Sequence, residues 1–114
     1  MHEYSLVEAL VRRVEAEADA RQAVAVHGLV VSIGELAGVD PELFRTAWET
    51  FRQGTRCERT AIEIRRAPAT WSCPRCGREI ERGAPLRCGP CGEPARLSER
   101  ADALLLESID LEVP

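Results

Sequence analysis

Cys73-Pro74-Arg75-Cys76-Gly77 and Cys88-Gly89-Pro90-Cys91-Gly92 decide how this 114-residue chain folds. Each is a Cys-x-x-Cys pair closed by glycine, and eleven residues separate the pairs. Both sulfurs of such a turn face a single ion. Four thiolates suit the tetrahedral preference of Zn²⁺, with Zn–S bonds of about 2.3 Å. The closing glycines supply a residue able to take positive φ where the turn folds back. A hairpin fills the gap between the pairs. Two disulfides, an iron site or a redox pair are the competing readings of the same four cysteines.

Around the knuckles, from about Pro68 to Arg96, proline, glycine, arginine and cysteine dominate and no apolar period survives. Such a segment builds no hydrophobic core of its own, so metal must supply most of its folding energy. The flanking sequence is different. Leu6, Val7, Leu10, Val11 and Val14 form one face of an amphipathic helix running to about Ala20, and Ser5 with Glu8 fits a capping box at its start. Leu29, Val31 and Ile33 alternate with Val30 and Ser32 in a strand that Gly34 ends. Asp40-Pro41 opens a second helix, with Asp40 as N-cap and Pro41 at the first helical position. Leu43, Phe44, Ala47, Trp48 and Phe51 give it an apolar stripe, and Gly54 is its stop. Ala61 to Ile64 is a second strand.

After the knuckles an apolar strand returns at Ala103-Leu104-Leu105-Leu106, Ile109, Leu111 and Val113. Glu107 breaks its alternation, which predicts a bulge near Ser108. A strand at this point belongs to the first domain's sheet. The sequence therefore predicts an α/β fold: a small mixed three-stranded sheet with two helices, carrying an inserted four-cysteine, zinc-ribbon-like minidomain. The domains are residues 1–67 with 100–114, and residues 68–99.

Composition narrows the function. Hydrophobic residues make up 45%, enough for a core, and aromatics only 4%, so that core is aliphatic. The formal charge of −4 disfavours generic nucleic-acid binding. All 15 basic residues are arginine, which reads as compositional bias rather than chemistry. Met1-His2-Glu3-Tyr4 is not the start of a signal peptide, and no stretch is apolar enough to span a membrane, so a cytoplasmic location is expected. In that compartment clustered cysteines bind metal more often than they form disulfides. No phosphate loop, nucleophile elbow or open zinc position is evident, so no enzymatic activity is expected.

Cys57 stands alone and reads as a buried or half-buried thiol. His27, at the start of a strand, reads as structural or surface. His2 is more informative. Left to itself it is a terminal residue without a fixed role. Beside the α-amine of Met1, however, its imidazole and the intervening amide nitrogens can close chelate rings around one ion. Ni²⁺ and Cu²⁺ favour such tetragonal nitrogen sites.

Met1-His2-Glu3-Tyr4-Ser5-Leu6, Ile33-Gly34-Glu35-Leu36 and Asp40-Pro41-Glu42-Leu43-Phe44, in that order before two Cys-x-x-Cys-Gly knuckles and a Leu-rich strand, resemble the HypA/HybF family over essentially the whole chain. These are nickel-insertion accessory proteins for [NiFe] hydrogenase, some of which also support urease. The resemblance implies a metallochaperone with Ni(II) as cargo and Zn(II) as a structural ion. It implies nickel ligands at Met1, His2 and Glu3: the amine, the imidazole and backbone nitrogens. It implies zinc ligands at Cys73, Cys76, Cys88 and Cys91. An acidic residue near the nickel in some relatives matches Asp40, whose role as a helix N-cap is sufficient here. The implied partners are the GTPase HypB and the hydrogenase large subunit, with neither nucleic acid nor membrane, the chain itself being a monomer or weak homodimer. The second knuckle, Cys-Gly-Pro-Cys, departs from the commoner Cys-Pro-x-Cys form.

Three other functions compete, one of them a thiol oxidoreductase, which needs an exposed, low-pKa Cys pair on a thioredoxin-type βαβ scaffold where neither knuckle sits. A zinc-ribbon nucleic-acid binder would draw on the six arginines against four glutamates of residues 70–100, but Trp71 is its only stacking platform. A rubredoxin-like electron carrier would hold iron in the same knuckles. Iron would colour the protein red.

Overall fold

The computed structural model describes residues 2–114. Its elements run α1 (His2–Ala20), β1 (Ala25–Gly34), α2 (Pro41–Phe51), β2 (Ala61–Ala67), β3 (Trp71–Ser72), β4 (Glu79–Ile80), β5 (Arg96–Leu97) and β6 (Leu104–Glu112). They make two three-stranded sheets, β2-β1-β6 and β4-β3-β5.

The first sheet is mixed, as the sequence predicts. β1 pairs parallel with β2, Leu29 facing Ile62 and Val31 facing Ile64. It pairs antiparallel with β6, which returns after the whole second sheet has been built. The parallel pair needs a crossover, and α2 supplies it. Val7, Leu10, Val11, Val14 and Ala18 of α1 meet Phe44, Ala47 and Trp48 of α2 over Val26, Leu29, Val31 and Ile33 of β1. Ile62, Ile64, Leu104, Leu106, Ile109 and Leu111 complete this largely aliphatic core from the two edges.

The bulge lies where the alternation breaks. Val30 faces Ser108 and Val31 faces Leu106, leaving Glu107 as the extra residue on β6. Glu107 is thereby aimed at Arg100, with which it forms an ion pair. A second irregularity, unforeseen, leaves His27 as the extra residue on β1, between Val26 (facing Leu111) and Gly28 (facing Asp110).

Helix α2 begins as the sequence predicts. Asp40 accepts hydrogen bonds from the Glu42 and Leu43 amides, and Pro41 occupies the first turn. It ends at Phe51, with Arg52 as its C-cap still in right-handed conformation, so Gly54 (φ 74°) belongs to the following turn and is not the helix stop. The start of α1 requires a correction. The helix begins at His2, and Ser5 lies inside it, donating its hydroxyl hydrogen back to the His2 carbonyl at 2.9 Å. Ser5 and Glu8 therefore form no capping box. The first turn is fixed by a contact with another element: the Glu3 carboxylate accepts the Asp40 amide at 3.0 Å. β1 starts four residues before Leu29, and β2 runs three residues past Ile64.

The second sheet comprises three two-residue strands, with Trp71 facing Ile80 on one side and Leu97 on the other. The stretches entering and leaving it are tied together. Ser98 N donates to Thr70 O at 2.8 Å, Thr70 N to Ser98 Oγ at 3.1 Å, and Ser98 Oγ to Pro68 O at 3.2 Å.

Candidate metal centres

Each knuckle is a backbone device. Gly77 N donates to Cys73 O at 2.9 Å and Gly92 N to Cys88 O at 2.8 Å, with both glycines at positive φ (78° and 70°). Cys73 N returns to Arg78 O and Cys88 N to Glu93 O, each within 2.9 Å. The two turns bring the Sγ atoms of Cys73, Cys76, Cys88 and Cys91 within 4.8 Å of one another. Cys76 Sγ and Cys88 Sγ lie 3.9 Å apart. Sulfurs at the corners of a tetrahedron with 2.3 Å bonds stand about 3.8 Å apart, so one ion of zinc's size fits among them.

The electrostatics call for such an ion. Hydrogen bonding from the Cys76 amide, reinforced by Arg75, draws the Cys73 thiol down to about 7. The neighbouring sulfurs, Cys76 foremost, push the Cys91 thiol up to about 12. Four thiolates cannot crowd together uncompensated, and a divalent cation removes the repulsion. Packing gives little alternative support: only Ile80 joins Cys73 and Cys88 as buried, with Trp71, Cys91 and Ala95 against them. When bound, a four-thiolate zinc supplies structural cross-linking and no open position for chemistry.

The N-terminal residues lie on α1. Met1 falls outside the described residues. His2 is exposed. Glu3 is 9% exposed, and its carboxyl is held below its ordinary value, chiefly by the Asp40 amide. As first residues of a helix, His2 and Glu3 have backbone N–H groups without helical acceptors. Asp40 is therefore beside this terminus, but its carboxylate is committed to the α2 amides and only its backbone nitrogen touches Glu3. His27 is elsewhere. It occupies the bulge at the opposite end of the sheet and shares a 2.6 Å hydrogen bond with Glu112. Cys57 is wholly buried and burial raises its thiol, as befits an inert core residue.

Sequence reasoning misses one contact. Arg82 reaches from the second sheet to Glu35, the residue after β1, through two 2.7 Å hydrogen bonds. No spacing signal links residues 47 positions apart.

Comparison with known proteins places these features in context. Residues 1–111 match the family model described as hydrogenase/urease nickel incorporation, metallochaperone, hypA. The chain is 34% identical to the hydrogenase maturation factor HypA of Aquifex aeolicus over 99% of both chains. It is 36% identical to that of Nitrosospira multiformis over 97% of both. Its fold is similar to the solution structure of the Ni metallochaperone HypA from Helicobacter pylori, with a TM-score of 0.70 and 27% identity over 98% of each chain. A second HypA solution structure gives a TM-score of 0.77 at 28% identity, covering 100% of this chain and 98% of the other.

Proposed function

The chain belongs to the HypA family of nickel-incorporation metallochaperones for hydrogenase and urease, and on that premise we propose that it carries Ni(II) to an immature [NiFe] hydrogenase large subunit or a urease. The cargo ion is bound by the Met1 amine, the His2 imidazole and the backbone nitrogens of His2 and Glu3. Zn(II), held by Cys73, Cys76, Cys88 and Cys91, is a structural ion in a unit spanning residues 68–99, while residues 1–67 and 100–114 form the nickel unit. The chain acts in the cytoplasm without catalysing a reaction, alongside the partner GTPase HypB, to which any GTP turnover belongs.

The observation that carries the nickel assignment is the first turn of α1. Glu3 is anchored to Asp40, so the terminus starts from a fixed point, and the amides of His2 and Glu3 are uncommitted to the helix. Those nitrogens can release their protons to water and bind Ni²⁺ without unravelling a hydrogen-bonded turn. The Glu3 carboxylate is occupied, so Glu3 contributes its backbone nitrogen.

The test is calorimetric titration of untagged, zinc-loaded protein with Ni²⁺. His2→Ala abolishes stoichiometric nickel binding while zinc content and fold persist. An N-terminal extension does the same, because it converts the amine into an amide. Amine and imidazole bind metal only when neutral, so affinity falls as pH drops below neutrality. Unchanged nickel stoichiometry in either variant moves the site elsewhere. Elemental analysis decides the second ion: about one zinc per chain is expected, and an iron-loaded, red protein overturns the zinc assignment.

A further inference from the structure

Glu35 and Arg82 are, we propose, positioning residues for the nickel terminus: their ion pair docks the zinc unit on the loop that holds Glu3. This inference rests on the nickel reading above.

Arg82 lies two residues beyond β4. Its Nη1 donates to Glu35 Oε2 and its Nη2 to Glu35 Oε1, both at 2.7 Å, while Nη2 also donates to the Ala69 carbonyl at 2.8 Å. Ala69 N donates to Glu35 Oε1 at 2.8 Å, so Glu35 grips the arginine and the entry linker together. The guanidinium sits 5.5 Å over the Trp71 ring, which completes its surroundings. An isolated surface ion pair contributes little. This one is bidentate, shares two backbone partners and stacks on an aromatic face, which is the geometry in which arginine holds a defined position. Among the described residues it is the only side-chain hydrogen-bonded link between residues 71–97 and the α/β elements.

Glu35 opens the segment that ends at Asp40. Glu35 N donates to Ala67 O at 2.8 Å and Leu36 N to Ala101 O at 2.7 Å, so the segment's near end is fastened to the end of β2 and to the stretch leading into β6. At its far end the Asp40 amide holds the Glu3 carboxylate at 3.0 Å. One short loop thus touches the zinc unit at one end and the first turn of α1 at the other. Cutting the pair leaves the zinc unit on its two linkers alone and is expected to loosen the loop that presents the Asp40 amide, now held at its near end by its backbone bonds to Ala67 and Ala101.

The experiment uses full-length, zinc-loaded Arg82→Ala and Glu35→Gln. Zinc content, nickel affinity by calorimetry and backbone ¹⁵N relaxation are measured for each. Zinc is expected to stay at one per chain, and residues 71–97 to tumble more independently of the α/β unit. Nickel stoichiometry is retained while its Kd rises about fivefold, the low end of ordinary inter-site coupling. The double variant is expected to bind nickel no more weakly than Arg82→Ala, because both changes cut one interaction. If Arg82→Ala loses zinc, Glu35→Gln, which lies outside the zinc unit, carries the test. Wild-type nickel affinity with increased mobility of residues 71–97 overturns the proposal, as does strict additivity of the two changes. His2→Ala in the same series separates the two readings: if it too binds nickel normally, the nickel site itself is misplaced.

Discussion

A methyl group at Gly34 would overlap the backbone carbonyls of Arg100 and Ala101. Gly34 ends β1 and donates its own N–H to Ala103 O, so the returning chain lies directly against it. Backbone cannot swing aside as a side chain does, and Gly34→Ala is expected to cost about 3 kcal/mol, the upper end of ordinary overpacking. Urea unfolding checks this, with Gly89→Ala as the control because nothing lies within 4 Å of its added carbon. Equal midpoints for the two variants would show that the linker yields freely. His27 makes the opposite kind of statement. It is the second histidine and an obvious candidate ligand, yet the bulge turns it toward Glu112, away from the α1 terminus. His27→Ala is expected to leave nickel stoichiometry and affinity unchanged by calorimetry, and a tenfold loss would bring the far end of the sheet into the site.

Helix α2 illustrates what a single cap does. Asp40→Ala removes the acceptor for the Glu42 and Leu43 amides and is expected to lower stability by about 1 kcal/mol. The Asp40 N–H that holds Glu3 is backbone and survives, so nickel stoichiometry persists; its disappearance would make the carboxylate a ligand. Both helices and the three long strands are legible in the sequence, because Val7, Val14, Phe44, Trp48 and Val31 recur at the spacing their element requires. Glu107 marks its bulge by the same logic, as a charge where the alternation calls for an apolar residue. The first turn of α1 is not legible. Ser5 and Glu8 offer a capping box, but a tertiary bond from Asp40 to Glu3 lets the helix start four residues earlier, at His2 instead of Leu6. Nor are β3, β4 and β5, which are two residues each and owe their pairing to the knuckles rather than to alternating side chains. The four cysteines are legible as a cluster because their spacing alone brings them together. The Glu35–Arg82 pair is not, since charge pairs across a fold leave no local pattern.

The molecule measures 56 × 31 × 17 Å, with a radius of gyration of 17.9 Å against about 13 Å for a compact chain of this length. On the two-unit division proposed above, the units are expected to respond separately to metal. Removing zinc with a strong chelator is expected to collapse the amide dispersion of residues 71–97 in NMR spectra while signals from α1, α2 and the first sheet persist; simultaneous loss of both would show one cooperative unit. Acid should act in a set order. Hydrogen bonding from Arg82 and the Ala69 amide holds the Glu35 carboxyl at about 2, below its ordinary 4.5. A group lowered in this way contributes stability above its ordinary value and loses it as pH falls toward the folded one. The proposed zinc thiolates, whose ordinary value is about 8.5, are expected to take up protons and release the ion at higher pH than that. A zinc-sensitive dye is therefore expected to respond before any change assignable to Glu35, and coincident transitions below pH 4 would contradict the order. Thr70 and Ser98 are hydrogen-bonded neighbours, so the chain leaves for the knuckles and comes back at one spot. Twenty-seven residues, 71–97, could be spliced out and a tight hairpin turn put in their place with the ends already in register. In genetic terms the knuckle arm is expected to behave as a cassette, exchangeable between relatives where the incoming arm carries a partner for Glu35.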